Sequence, residues 1–161
     1  MRLNSKLNEG MSAMKIIVLC ASTTAGLLVS AWPSHARDTK YFLPIAAALA
    51  VQDAKEKLDG SIKFYFGDQP TPPIVTKLGS DVSNRKTNSF GKSDESACNW
   101  AFLSAMVALE RRAQQLGANA VVNIVSYYKK DVMSSTTEFE CHAGAIIAGV
   151  ALKGDFVKIA E

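Results

Sequence analysis

Reactive side chains are scarce in this chain. It holds two histidines and three cysteines in 161 residues. His35 and Cys20 fall in the N-terminal stretch, so His142, Cys98 and Cys141 are all that remain beyond it. A single histidine excludes a His-rich zinc cluster. A Ser-His-Asp triad would have to be built on His142, and no local partner for it is apparent, so no catalytic residue is assigned. An excess of one charge is lacking too. Lys and Arg total 18 against 15 Asp and Glu, without a basic, aromatic-interleaved stripe, which argues against nucleic acid as a partner. There is no internal repeat and no low-complexity segment. What is present is a globular composition, 48% hydrophobic and 20% charged, at a length that suits one domain.

The first 36 residues read as a leader. In "MKIIVLCASTTAGLLVSAWPSHA" Lys15 precedes an apolar run from Ile16 to Ala31, then Pro33, then small residues at Ser34 and Ala36. That is the layout of a secretory signal peptide cut after Ala36. The run is short for a membrane span of about 20 residues, so no stable span is expected after cleavage. The polar leader before it, with Glu9, suits an n-region poorly, and Met14 is the expected start. Val18-Leu19 before Cys20 do not form a lipoprotein site. Loss of the leader removes Arg2, Lys6, Lys15 and Glu9, and the net charge falls from +3 to +1. Two cysteines then remain in an oxidising compartment, periplasmic or secreted.

"NSFGKSDESACNW", residues 88–100, holds Gly91-Lys92-Ser93, the ending of a phosphate-binding loop. Such a loop needs a first glycine five residues earlier, so that backbone N–H groups can cradle phosphates. Residue 86 is Lys. No Walker-B strand follows, and the tripeptide reads as the loop before a helix.

The mature segment, 37–161, reads as a single α+β domain. A helix is expected from Pro44 to Leu58 and a strand over Ser61–Phe66. A proline-rich loop follows, then a weakly strand-like stretch broken at Gly79-Ser80. The clearest element is a helix capped by Ser93 or Asp94 and closed at Leu116 by Gly117. Cys98, Phe102, Ala105 and Leu109 form its buried stripe, with Ala97, Ala101 and Ala108 beside it and Glu110, Arg111, Gln114 and Gln115 mostly outside. "ANAVVNIVSYY" is a strand. A strand region spans 137–154, with Gly144 and Gly149 marking bulges or close backbone approach, and 155–160 is a last short strand. The predicted architecture is a two-layer sandwich, two main helices on a mainly antiparallel sheet.

Cys98, on the inward stripe, and Cys141, on the strand expected beneath it, read best as a disulfide. Two buried thiols and a metal or redox pair are the alternatives. Cys141-His142 point to opposite strand faces, and a metal site would need Cys98 free plus Glu138 or Glu140, whose alternation with Phe139 marks a solvent-facing side. In "KFYF" Tyr65 faces away from Phe64 and Phe66. With Tyr127 and Tyr128 it forms a candidate interaction patch.

"ERRAQQLGANAVVNIVSYYKK" followed by "ECHAGAIIAGVALKG" resembles two groups. One is the small YbjQ-type proteins; the other is the signalling domain of the envelope-stress sensor lipoprotein of the Rcs phosphorelay. This likeness covers about 55 residues, Cys98 to Gly154, and implies the fold and an envelope-sensing role. Over most of the mature chain, "KFYFGDQ", "KTNSFGKSDESACNWAFL" and "LGANAVVNIVSYYKK" resemble a family of small exported proteobacterial proteins. Many of these carry the label "excinuclease ATPase subunit". That label implies ATP hydrolysis and DNA excision, for which residues 86–93 and the charge balance give no support. The expectation is an exported, non-catalytic envelope protein without cofactor, binding an envelope protein partner or a small ligand. A small-ligand or metal-binding periplasmic protein is the alternative.

Overall fold

The computed structural model describes residues 37–160; the leader reading falls outside the described residues. The elements are β1 (Thr39–Pro44), α1 (Ile45–Ala50), α2 (Gln52–Lys57), β2 (Lys63–Phe66), β3 (Ile74–Asn88), α3 (Asp94–Leu116), β4 (Ala120–Ser126), β5 (Glu138–Ala143) and β6 (Ile147–Ile159). Helices and a six-stranded sheet make this an α+β fold. All strand pairs are antiparallel except β2 with β4. The centre is β6, which pairs with β3 along one edge. Along its other edge it pairs first with β5 and then with β4. β1 extends the sheet beyond β5, and β2 extends it beyond β4.

α3 follows its sequence signals. The Ser93 hydroxyl accepts from Ser96 N–H, Asp94 and Glu95 sit in the positive first turn, and Gly117 ends the helix with φ 69°. Gly91-Lys92-Ser93 is therefore the loop and N-cap of this helix. Cys98, Phe102, Ala105 and Leu109 are buried, and Phe102 stacks on Phe139 of β5 with centroids 4.2 Å apart. Cys98 and Cys141 are joined, with Cα atoms 5.8 Å apart, tying helix to sheet.

Several elements differ from the sequence expectation. The Pro44–Leu58 helix is two short helices separated by Val51, which is extended. A continuous helix at 100° per residue would turn Ala48 and Ala54 about 120° apart, and the break lets both be buried. A strand, β1, precedes them; its ladder comes from β5, which no local pattern reveals. β3 is one strand of 15 residues, absorbing Gly79 (φ 143°) as an irregularity. Only its Ser83 is buried, so the apolar alternation that marks a strand is missing. Residues 155–160 are not a separate strand, because β6 runs on through Gly154 to Ile159. A Cβ at Gly154 would meet Val121 Cγ1 at 2.6 Å, so glycine there permits close packing rather than a break. Gly144 is a close approach of the expected kind, since a Cβ would lie 2.8 Å from the Arg37 carbonyl oxygen.

Two carboxylates change place. Glu110, expected outside, is 3% exposed, and its Oε1 has no hydrogen-bond partner. Glu140, expected to face solvent, is 6% exposed. The alternation assigns its strand face correctly, since Phe139 and Cys141 point to the core. The chain after β4 folds over the other face, however. Ser126 accepts the Glu140 N–H through its hydroxyl at 2.9 Å and pairs with Met133.

Candidate functional site

On the sheet face turned away from α3, period-two alternation places Glu140 and His142 side by side on β5. His142 Nε2 lies 2.7 Å from Glu140 Oε1, and its Nδ1 lies 2.9 Å from Asp38 Oδ1. A neutral imidazole donates through only one nitrogen, whereas the doubly protonated ring can satisfy both carboxylates. Tyr128 stacks on the ring at a centroid distance of 3.5 Å and an angle of 11°. It also donates its hydroxyl to Asp38 Oδ2 at 3.3 Å. Two lysines complete the group. Lys40 Nζ lies 3.4 Å from Glu140 Oε1, and Lys129 Nζ lies 3.4 Å from Asp38 Oδ2.

The backbone contributes to this aim. Lys129 and Lys130 hold φ of 51° and 75°, a left-handed region that non-glycine residues seldom adopt. The turn they make delivers Tyr128 and Lys129 to Asp38. Burial pushes the Asp38 carboxyl up, but hydrogen bonds from His142 and Lys129 outweigh it and hold the group below the ordinary carboxylate value. The Asp38 bond in turn raises Lys129.

Next to this cluster opens a cleft of about 390 Å³, lined by Arg37, Lys86, Tyr128, His142, Ile146 and Ile147 among others. Ile146 and Ile147 are 64% and 52% exposed, unusual for large aliphatic side chains. Arg37 is fixed by Asp94 Oδ1 at 2.6 Å and by the Gly144 carbonyl at 3.0 Å. Tyr41 donates to Asp94 Oδ2 at 2.6 Å; this bond and the one from Arg37 hold Asp94 below the ordinary value, and the Asp94 bond raises the Tyr41 hydroxyl. Lys86, paired with Gly149 across β3 and β6, stands at the rim as an exposed cation.

The sequence-predicted residues are distributed unevenly around this site. Tyr128 is within it. Tyr127 lies under the Lys153 ammonium at 5.3 Å, and Tyr65 packs against Ala120, Val122, Val157 and Ile159. All three are half-buried and share the outer face of the sheet, in different surroundings. Cys141 is on the opposite face of β5, closed in its disulfide. Asp38, Lys40 and Lys86 were not apparent in the sequence as site residues. Asp38 lies 104 residues from His142 and carries no local signal.

Among the described residues, no group of three or more His, Cys, Asp or Glu side chains is arranged to hold a metal ion. No helix among them is long and apolar enough to cross a membrane. Compared with protein-family models, with curated proteins and with solved structures, the chain matches none.

Proposed function

We propose that this protein is an exported, non-catalytic binding module of the cell envelope, with its recognition surface on the outer sheet face around the Tyr128–His142 cleft. The observation that carries the reading is the juxtaposition of exposed Ile146 and Ile147 with a fixed polar cluster at one cleft. Apolar walls with a few converging polar groups are what small-ligand sites are made of. The occupant that fits is a small amphiphile with an anionic end. Its apolar body lies over Ile146, Ile147 and Tyr128, and its anion lies toward Lys86.

Binding fits the polar cluster better than catalysis does. Asp38 and His142 are placed like an orienter and a base, yet Nε2 is taken by Glu140 rather than by a hydroxyl or thiol. Tyr65 and Tyr127 extend the same face and supply a candidate surface for an envelope protein partner. Metal binding gains no support here, because both cysteines of the mature segment are cross-linked.

The test is fluorescence titration of the full chain with anilinonaphthalene sulfonate, an apolar body with one anionic end. Saturable one-to-one binding that Ile147→Asp removes and Lys86→Glu weakens is expected. Absence of saturable binding, or equal binding by both variants, refutes the reading.

A further inference from the structure

Arg85 and Lys86 point to opposite faces of β3, so the strand that offers Lys86 to the cleft offers Arg85 to a different place. Asp81, Ser83 and Arg85 alternate along the α3-facing side of β3. Ala108, Arg111 and Arg112 face them from α3. Between the two elements lie adjoining hollows of about 490 and 250 Å³, both bordered by Asp81, Arg85, Ala108 and Arg112. The small side chain of Ala108, in the middle of the helix wall, leaves this space open.

The groove is strongly positive. Three guanidinium groups face one carboxylate. Arg112 Nε reaches Asp81 Oδ2 only at 3.9 Å, and among the described residues Arg85 and Arg111 have no ion pair or side-chain hydrogen bond. Three positive charges against one negative leave two unbalanced. A second, independent feature points the same way. Ser83 lines the smaller hollow and is 6% exposed, and its hydroxyl has no hydrogen-bond partner. Buried hydroxyls are ordinarily satisfied, so an orphan at the base of a cationic groove marks a missing acceptor.

We propose that this groove binds a phosphomonoester group, held by Arg85, Arg111 and Arg112 with the Ser83 hydroxyl donating from the floor. The planar guanidinium fork matches phosphate oxygens in pairs, and a dianion balances the two unpaired charges. The site is separate from the Tyr128–His142 cleft and does not depend on it. The phosphate can belong to a soluble ester or to a lipid headgroup, and the chemistry recognised is the same.

Two probes distinguish these sources. The full chain is titrated calorimetrically with inorganic phosphate. In parallel it is sedimented with phosphatidylcholine vesicles with and without phosphatidic acid. Arg85→Gln and Arg111→Gln are expected to weaken phosphate binding about tenfold each while leaving the unfolding midpoint in place, since both side chains are exposed. Cosedimentation that requires phosphatidic acid and fails in both variants supports the site with a lipid headgroup as source. Arginine-dependent phosphate binding without cosedimentation supports it with a soluble ester. No saturable binding of either probe, or binding that both variants retain, overturns the proposal.

Discussion

Glu140 and His142, two residues apart on one strand, meet at 2.7 Å beneath a loop that hides the acid almost completely. On the face that alternation assigns to solvent Glu140 is buried and His142 half-buried, with Lys40 beside the acid and Asp38 beside the imidazole. Removing the imidazole strands a buried carboxylate. His142→Ala is expected to cost about 3 kcal/mol in urea unfolding, and Glu140→Gln in the same background should recover part of that loss. Strictly additive losses in the double variant would show that the two side chains are not coupled.

The Cys98–Cys141 link closes a loop of 43 residues between the buried helix stripe and β5. In the chain-entropy model such a closure is worth roughly 4 kcal/mol. Reduction, or Cys98→Ala with Cys141→Ala, is expected to lower stability by about 2–4 kcal/mol. Two alkylatable thiols in protein denatured without reductant would contradict the link.

Glu110 predicts a pH dependence of opposite sign to that of most carboxylates. Burial, then the nearby Asp59 charge, raises its carboxyl above the ordinary 4.5. A group raised in the folded state contributes its stability below the unfolded value and loses it as pH rises through the folded one. Glu110→Gln is therefore expected to stabilise the fold at pH 7, with the gain fading toward pH 4. Asp38 and Asp94 are lowered, so their contribution is present above 3.8 and lost as pH falls below it. Denaturation of variant and parent at both pH values isolates Glu110; a constant difference would refute the assignment.

The proposed export predicts a mass. Protein recovered from cells is expected to begin at Arg37, and intact mass spectrometry reads this directly. A chain that retains residues 14–36 would refute cleavage.

Where a feature is written into neighbouring residues, the sequence made it readable. Ser93, Gly117 and the Cys98–Phe102–Ala105–Leu109 stripe announce the ends and the core stripe of α3 though not the burial of Glu110, and the same stripe points Cys98 at the sheet. Features created by distant partners were not readable. β1 is a strand because β5 offers it a ladder. β3 hides its nature because an edge strand with one buried residue needs no apolar alternation. Val51 breaks a helix that alanine content favours, since only the broken form buries both Ala48 and Ala54. The cluster at His142 depends on Asp38, 104 residues away, and on a turn at Lys129 and Lys130 that residue type alone would not suggest.

The cleft is the centre of the functional account, and amide chemical-shift mapping locates binding residue by residue. Titration of the ¹⁵N-labelled full chain with decanoate is expected to move Tyr128, His142, Ile146 and Ile147 together, on one saturation curve, and to leave still Trp100, which borders a separate hollow of about 230 Å³ with Val51 and Leu103. Shifts centred on Trp100, or no saturable shifts at all, would contradict it.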